Sequence, residues 1–202
     1  MESLSIVGYG GFGKEIEYLI RNKFKGVKIK IYDDLDESAI VNPIEDLVII
    51  KKPANCIITV GDPLMRKEIY NRLKKNQFIA FPNLVFSNFE TYPFDERKLI
   101  GQGNIIMGDV IIGFNTNIGS FNVIGSRVTL GHDVKLGSFN FIGPNCFLAG
   151  SVSVEDNCKL SFSTSFIQKT KMISNTNTMP FSVIYKNIKV PGTYAGNPCL
   201  KI

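Results

Sequence analysis

Residues 106–148 read IMGDVIIGFNTNIGSFNVIGSRVTLGHDVKLGSFNFIGPNCFL, and this stretch decides the fold. A large apolar residue returns at every sixth position: Ile106, Ile112, Ile118, Ile124, Leu130, Leu136, Ile142 and Leu148. The same phase reaches back to Ile100 and forward through Val154, Leu160, Phe166 and Met172. Glycine follows it as Gly101, Gly113, Gly119, Gly125, Gly131, Gly137 and Gly143, and small or β-branched residues precede it by two places at Val110, Thr116, Val128, Val134, Cys146, Val152 and Cys158. An α-helix repeats every 3.6 residues and a strand every two, so neither holds this phase. A fixed hexapeptide period marks a parallel β-helix, in which each hexad forms one flat side of a triangular coil and its apolar residue stacks inward. The glycine is expected at the corner, supplying backbone conformations that side chains disfavour. Later it gives way to Ala149, Glu155, Ser161, Ile167 and Ile173. The ruler is expected to end near residue 174, leaving a tail through Tyr194-Ala195-Gly196-Asn197-Pro198.

Ahead of the ruler the chain has a different grammar. Leu4-Ser5-Ile6-Val7 is a short apolar run, and an amphipathic segment with Ile16, Leu19 and Ile20 follows it. Residues 27–32 alternate as a strand does. Cys56-Ile57-Ile58-Thr59-Val60 is a third apolar run, after which Asp62 is placed to cap a helix starting at Pro63, with Met65, Ile69 and Leu73 on its apolar face. Strand, helix, strand, strand, helix predicts a small Rossmann-like parallel α/β domain over residues 1–85. A junction is expected at 86–97, and a β-helix domain with an irregular tail at 98–202.

Composition bounds the function. A hydrophobic share of 44% with 20% charged residues is that of a soluble globular chain. No apolar run is long enough to span a bilayer, and Met1-Glu2-Ser3 does not open a basic-then-apolar leader, so a cytoplasmic protein is expected. The cysteines lack metal-ligand spacing; Cys146 and Cys158 fall on the inward small position, and no metal is expected. The net charge of +5 suits phosphorylated ligands, while the scattered lysines, without interleaved aromatics, argue against nucleic acid.

Two places carry chemistry. Gly8, Gly10 and Gly13 form G-x-G-x-x-G after a strand and before a helix, and Asp33 closes the second strand. Such glycines let the backbone approach phosphates at a helix N-terminus. A nucleotide or nucleotide-sugar site, an NAD site and a purely structural turn all fit the spacing. The short stretch before the β-helix leaves little room for the second half of an NAD fold, which favours the first. The chain's sole histidine, His132, stands beside Asp133, two residues past the inward Leu130 and therefore on the coil's exterior. An exposed surface histidine is the bland reading. A general base oriented by Asp133 is the sharper one, because imidazole takes a proton near neutrality.

At these residues the chain resembles the bacterial sugar acetyltransferases of the left-handed β-helix superfamily. The nearest groups are the nucleotide-amino-sugar N-acetyltransferases related to the bacillosamine-pathway enzyme and the sialic acid O-acetyltransferases. The resemblance covers nearly the whole chain. It rests on Gly8-Tyr9-Gly10-Gly11-Phe12-Gly13-Lys14, Asp33-Asp34, Gly61-Asp62 with Arg66, the hexapeptide ruler, Gly131-His132-Asp133 and Gly196-Asn197-Pro198. It implies a left-handed coil, an exception to the usual right-handed crossover, assembled as a homotrimer with acetyl-CoA in the groove between β-helices. It implies that the N-terminal motifs hold the nucleotide of the sugar, that His132 is the base and Asp133 its partner, and that Asn140, Phe141, Gly150, Ser161 and Phe162 lie along acetyl-CoA. The implied substrate is a UDP- or dTDP-linked amino sugar, a 4-amino-4,6-dideoxysugar, for surface glycan synthesis. Sugar O-acetylation and a non-catalytic β-helix scaffold are the alternatives. One departure stands out: relatives often carry a second histidine nine residues after the first, where this chain has Phe141.

Overall fold

The computed structural model describes residues 2–36, 38–86 and 100–202. The chain divides into two compact units, residues 1–84 and 85–202. The expected junction lies, apart from Phe86, outside the described residues.

The first unit is a five-stranded parallel sheet in the order β3-β2-β1-β4-β5, built from β1 (Ser3–Val7), β2 (Lys28–Tyr32), β3 (Val41–Asn42), β4 (Ala54–Ile58) and β5 (Ile79–Ala80). Central β1 is buried on both faces through Leu4, Ile6 and Val7, as a covered parallel strand must be. Helix α1 (Gly11–Lys23) buries Ile16 and Ile20, and its last turn carries Arg21 and Lys23, which oppose the helix dipole. Helix α3 (Pro63–Leu73) starts where the sequence places it: Asp62 accepts from the Leu64 and Met65 N–H groups at 3.0 Å each. Its apolar face differs from expectation. The helix buries Pro63, Arg66 and Leu73, while Met65 is half exposed and Ile69 only partly covered. The two-residue strands β3 and β5 and the five-residue helix α2 (Ile44–Val48) were not anticipated, because so few residues carry no periodicity.

Strand β6 (Leu84–Val85) lies where the two units divide, and the second unit is the parallel β-helix. Two-residue strands β7 (Ile105–Ile106), β8 (Ile111–Ile112), β9 (Asn117–Ile118), β10 (Val123–Ile124), β11 (Thr129–Leu130), β12 (Lys135–Leu136), β13 (Phe141–Ile142), β14 (Phe147–Leu148), β15 (Ser153–Val154), β16 (Lys159–Leu160), β17 (Ser165–Phe166) and β18 (Lys171–Met172) each pair in parallel with the strand 18 residues away. They form three sheets, one per side. The inward residues Ile106, Ile112, Ile118, Ile124, Leu130, Leu136 and Ile142 are all at most 2% exposed, so the ruler points as read, and Cys146 and Cys158 are inward too. The coil outlasts the expected end near 174. Strands β19 (Thr176–Thr178) and β20 (Val183–Ile184) extend it, because the inward slot also accepts Thr178. The tail then forms β21 (Gly192–Ala195) and β22 (Leu200–Lys201), an antiparallel pair.

The corner glycines have a different role from the one expected. None of the glycines that follow the inward residue has positive φ. That conformation falls two residues later, at Gly103 and then at every sixth residue from Asp109 through Asn115, Arg127, Asp133 and Asn157 to Phe181, with φ of 57–69°. Asparagine and aspartate tolerate this region better than most side chains; several bulkier residues adopt it here as well. The ruler glycines are needed for close approach instead. A Cβ on Gly113 would lie 2.5 Å from the Gly131 carbonyl carbon, and one on Gly143 would lie 2.7 Å from the Phe162 nitrogen.

Candidate functional site

The glycine loop opens onto a pocket of about 480 Å³ in the first unit. Gly8 takes φ +96°, which turns the chain out of β1. Gly13 packs the helix onto that turn: a Cβ there would strike the Gly8 carbonyl oxygen, so this glycine serves contact within the fold and does not line the pocket. Gly10 and Gly11 have nothing within 4 Å of a would-be Cβ and do line it. Gly10 caps α1 without a side-chain cap hydrogen bond. The helix N-terminus therefore presents backbone amides toward the pocket, a suitable environment for phosphate. Phe12, Leu35, Ile44, Val60, Met65 and Ile69 give the pocket an apolar wall. Thr59, which is buried, donates to the Gly8 carbonyl oxygen at 2.6 Å and supports the loop from below.

Asp33 and Asp34 both line the pocket, with different tasks. Asp33 accepts the Tyr9 N–H through one oxygen (2.5 Å) and the Leu35 N–H through the other (2.8 Å), clamping the glycine loop to the end of β2. Asp34 accepts the Ile44 N–H at 2.9 Å and the Arg72 guanidinium at 2.7 Å. Burial pushes the Asp34 carboxyl up, but these two donors outweigh it and hold the group below the usual carboxylate range. Arg72 and Glu68 supply further charge at the pocket. Sequence reasoning missed them: Arg72 comes from a helix face that carried no motif, and only folding brings it to Asp34. Gly61 lines the pocket, whereas Asp62 spends its carboxylate on the α3 cap.

Arg66 departs from its expected place. It is 1% exposed, absent from the pocket wall, and donates to the Val60 (2.6 Å) and Gly61 (3.1 Å) carbonyl oxygens. It braces the β4–α3 turn from inside, and burial lowers its pKa to about 10 against the opposing pull of Asp62. Tyr9 and Lys14 do not line the pocket: the Tyr9 hydroxyl donates to Glu17 at 2.5 Å, and the Lys14 ammonium sits 5.3 Å from the Tyr9 ring centroid.

In the second unit, His132 stands on a corner of the coil with its side chain 67% exposed. Asp133 takes the left-handed corner conformation, φ 58°, and its carboxylate meets His132 Nδ1 at 2.7 Å through Oδ2. Asn115, one coil earlier on the same corner, donates to Asp133 Oδ1 at 2.7 Å. Hydrogen bonds from His132 and then Asn115 keep the Asp133 carboxyl below its ordinary range. An ionised carboxylate only accepts, so it selects the tautomer with hydrogen on Nδ1 and leaves the Nε2 lone pair free for a proton. That nitrogen lies over Gly150, one coil later. A Cβ on Gly150 would be 2.4 Å from Nε2, so only glycine leaves this imidazole its place.

The residues expected along acetyl-CoA are scattered in character. Asn140 is wholly buried: its Oδ1 accepts the Cys158 N–H, and its own N–H goes to Asn122 Oδ1, both at 2.8 Å. With Asn104 and Asn122 it forms an inward asparagine ladder, so its side chain cannot face a ligand. Phe141 and Ser161 are half-buried, and Phe162 is exposed, packed edge-to-face against Phe181 at 5.1 Å. Among the described residues, no group of three or more histidine, cysteine or acidic side chains is placed to hold a metal, and no helix is long and apolar enough to cross a membrane.

A parallel α/β unit with a glycine-loop pocket, followed by a hexapeptide β-helix, is a fold this chain shares with solved acetyltransferase structures. Residues 3–73 match the family model described as the PglD N-terminal domain. The chain is similar in structure to the acetyltransferase domain of PglB from Neisseria gonorrhoeae FA1090, with TM-score 0.86, 20% identity and full coverage of both chains. It is equally similar to a variant of perosamine N-acetyltransferase from Caulobacter crescentus, solved with CoA and GDP-perosamine, with TM-score 0.86, 20% identity, and 98% and 95% of the two chains covered. WeeI from Acinetobacter baumannii AYE follows, with TM-score 0.73, 16% identity, and coverages of 98% and 99%. No curated protein sequence matches the chain.

Proposed function

We propose that this chain is an acetyl-CoA-dependent N-acetyltransferase acting on a nucleotide-linked amino sugar. The observation that carries the reading is His132 on the β-helix exterior, held at Nδ1 by Asp133 with Nε2 free above Gly150. The glycine-loop pocket supports it as the site for the nucleotide, with backbone amides for the diphosphate and an apolar wall for the base. The neighbours support it too: the PglB domain has also been solved with acetyl coenzyme A.

The amine of the sugar attacks the thioester carbonyl carbon and gives its proton to His132 Nε2. The tetrahedral oxyanion then collapses, the carbon–sulfur bond breaks, and the imidazolium returns the proton to the departing thiolate. The products are the acetamido sugar and CoA thiol, with no covalent enzyme intermediate. Asp133 stabilises the imidazolium while it carries the proton. With the Asn140 side chain turned inward, backbone N–H groups must meet the oxyanion. The second turn residue of each hexad lies outside the inter-coil ladder; at Ser120 and Ser138 its N–H goes to a side chain instead. Gly150 occupies that position, and we assign its N–H the oxyanion role. Holding both substrates supplies a proximity term of roughly 7 to 11 kcal/mol in favourable cases.

Finer features belong to the same proposal: a UDP- or dTDP-linked 4-amino-4,6-dideoxysugar as substrate, a homotrimer as the working assembly and a cytoplasmic location. Free-thiol release from acetyl-CoA, followed across UDP-, dTDP- and GDP-linked amino sugars and their hydroxyl counterparts, tests the reading. Thiol release with an amino sugar and none with its hydroxyl counterpart is expected. Turnover confined to hydroxyl acceptors would make the enzyme an O-acetyltransferase, and none with any acceptor would leave a scaffold.

A further inference from the structure

We infer that Asn115 is a positioning residue for proton transfer at His132, acting through Asp133. The inference rests on the acetyl-transfer reading for its catalytic consequence and on geometry for its structural part. Asp133 has two carboxylate oxygens and two tasks. Oδ2 faces His132 Nδ1 at 2.7 Å, and Oδ1 accepts the Asn115 side-chain amide at 2.7 Å. Asp133 is a surface residue, its side chain 44% exposed, with Lys135 of the next strand the further charge acting on it. A carboxylate in such a place rotates freely about its last bond unless both oxygens are held. Asn115 removes that freedom. Once Oδ1 is fixed, Oδ2 stays on Nδ1, the imidazole keeps one tautomer, and Nε2 stays over Gly150.

The β-helix makes this relay from register alone. Asn115 and Asp133 are one coil apart on the same corner, and both take left-handed φ, 58° in each case. Asn145 repeats the device elsewhere, accepting from Arg127 Nε at 3.0 Å across one coil, so corner-to-corner side-chain bonding belongs to this fold. At Asn115 alone among the described residues does it reach the carboxylate that holds the histidine. The period stacks residues 18 apart, but it does not show which side-chain atom bonds which carboxylate oxygen.

The test exploits His132 being the chain's sole histidine. Imidazole nitrogen shifts, read by ¹⁵N NMR on the full-length protein well above the ordinary histidine pKa, report its tautomer without any substrate. Asn115→Gly removes the amide and suits the left-handed backbone; Asn115→Asp keeps that backbone preference and sets a negative charge against Asp133. Asn175→Gly, at another left-handed corner (φ 57°), controls for the backbone change. Wild type and Asn175→Gly are expected to hold the proton on Nδ1. Both Asn115 variants should lose much of that preference and lower kcat by about tenfold to a hundredfold, with both KM values within about twofold. An unchanged tautomer, or a KM rise with kcat intact, overturns the inference. A wild type that transfers no acetyl group while the tautomer still shifts in the variants upholds the relay and defeats the reaction, so the two failures are told apart.

Discussion

At the residue scale, the site depends on which atom of a side chain is already engaged. Asp33 and Asp34 sit where a dinucleotide fingerprint places its acidic residue, yet Asp33 has both oxygens on backbone N–H groups. It therefore shapes the glycine loop. His132 is the opposite case: Nδ1 is engaged, Nε2 is open, and most of its surface is exposed. Its removal should cost rate and little stability. His132→Ala is expected to lower kcat by about 10²- to 10⁴-fold, with a melting temperature close to wild type. Single-turnover acetyl transfer and a melt on the same preparation check this. A folded variant with normal turnover would remove His132 from the chemistry.

At the element scale, the coil is held by repeated close contact. The ruler glycines admit the next coil's backbone, and the left-handed corners two residues on are carried mainly by other residue types. Substitution at the two sites should thus differ. Gly113→Ala puts a methyl against the Gly131 carbonyl and is expected to cost about 1 to 3 kcal/mol, measured by urea unfolding, while Asn175→Gly should be near neutral. Equal effects at both would contradict the account.

The inward cysteines give a pH signature. Burial pushes Cys146 up to about 12 and Cys158 up to about 11, from an ordinary thiol value of 9.0. A pKa raised by folding means the unfolded chain loses its proton first. That contribution to stability is complete below pH 9 and is lost as pH rises toward 11 and 12. The melting temperature should therefore fall across this window. Cys158→Val, which installs the residue that Val134 and Val152 supply at the same hexad position, should flatten the fall. An identical slope in the variant would assign the alkaline loss to other groups.

At the scale of the whole molecule, one β-helix side is conspicuous. Ile111 and Phe147 point outward from the sheet formed by β8, β11, β14, β17 and β20, at 51% and 48% exposure, in a row with Thr129, Ser165 and Val183. Exposed apolar residues aligned by the coil suit pairing around a threefold axis. Light scattering should give three times the mass of the 22.5 kDa chain, and Phe147→Glu should shift it toward monomer. A monomeric, fully active wild type would exclude the trimer.

The hexad period by itself determined the β-helix, its inward residues and the exterior place of His132, because every sixth side chain must share one environment. Local sequence likewise determined the glycine loop and the Asp62 cap. The tertiary structure alone decided which side-chain atom meets which partner. Whereas the inward turn of Asn140 follows from the hexad slot that it shares with Cys146 and Cys158, the tertiary structure made Arg66 a buried brace. It brought Arg72 to Asp34, and it set Asn115 and Gly150 on either side of the His132–Asp133 pair. A hydrogen bond between coils depends on stacking register and on which oxygen is still free, and neither is written in the local sequence.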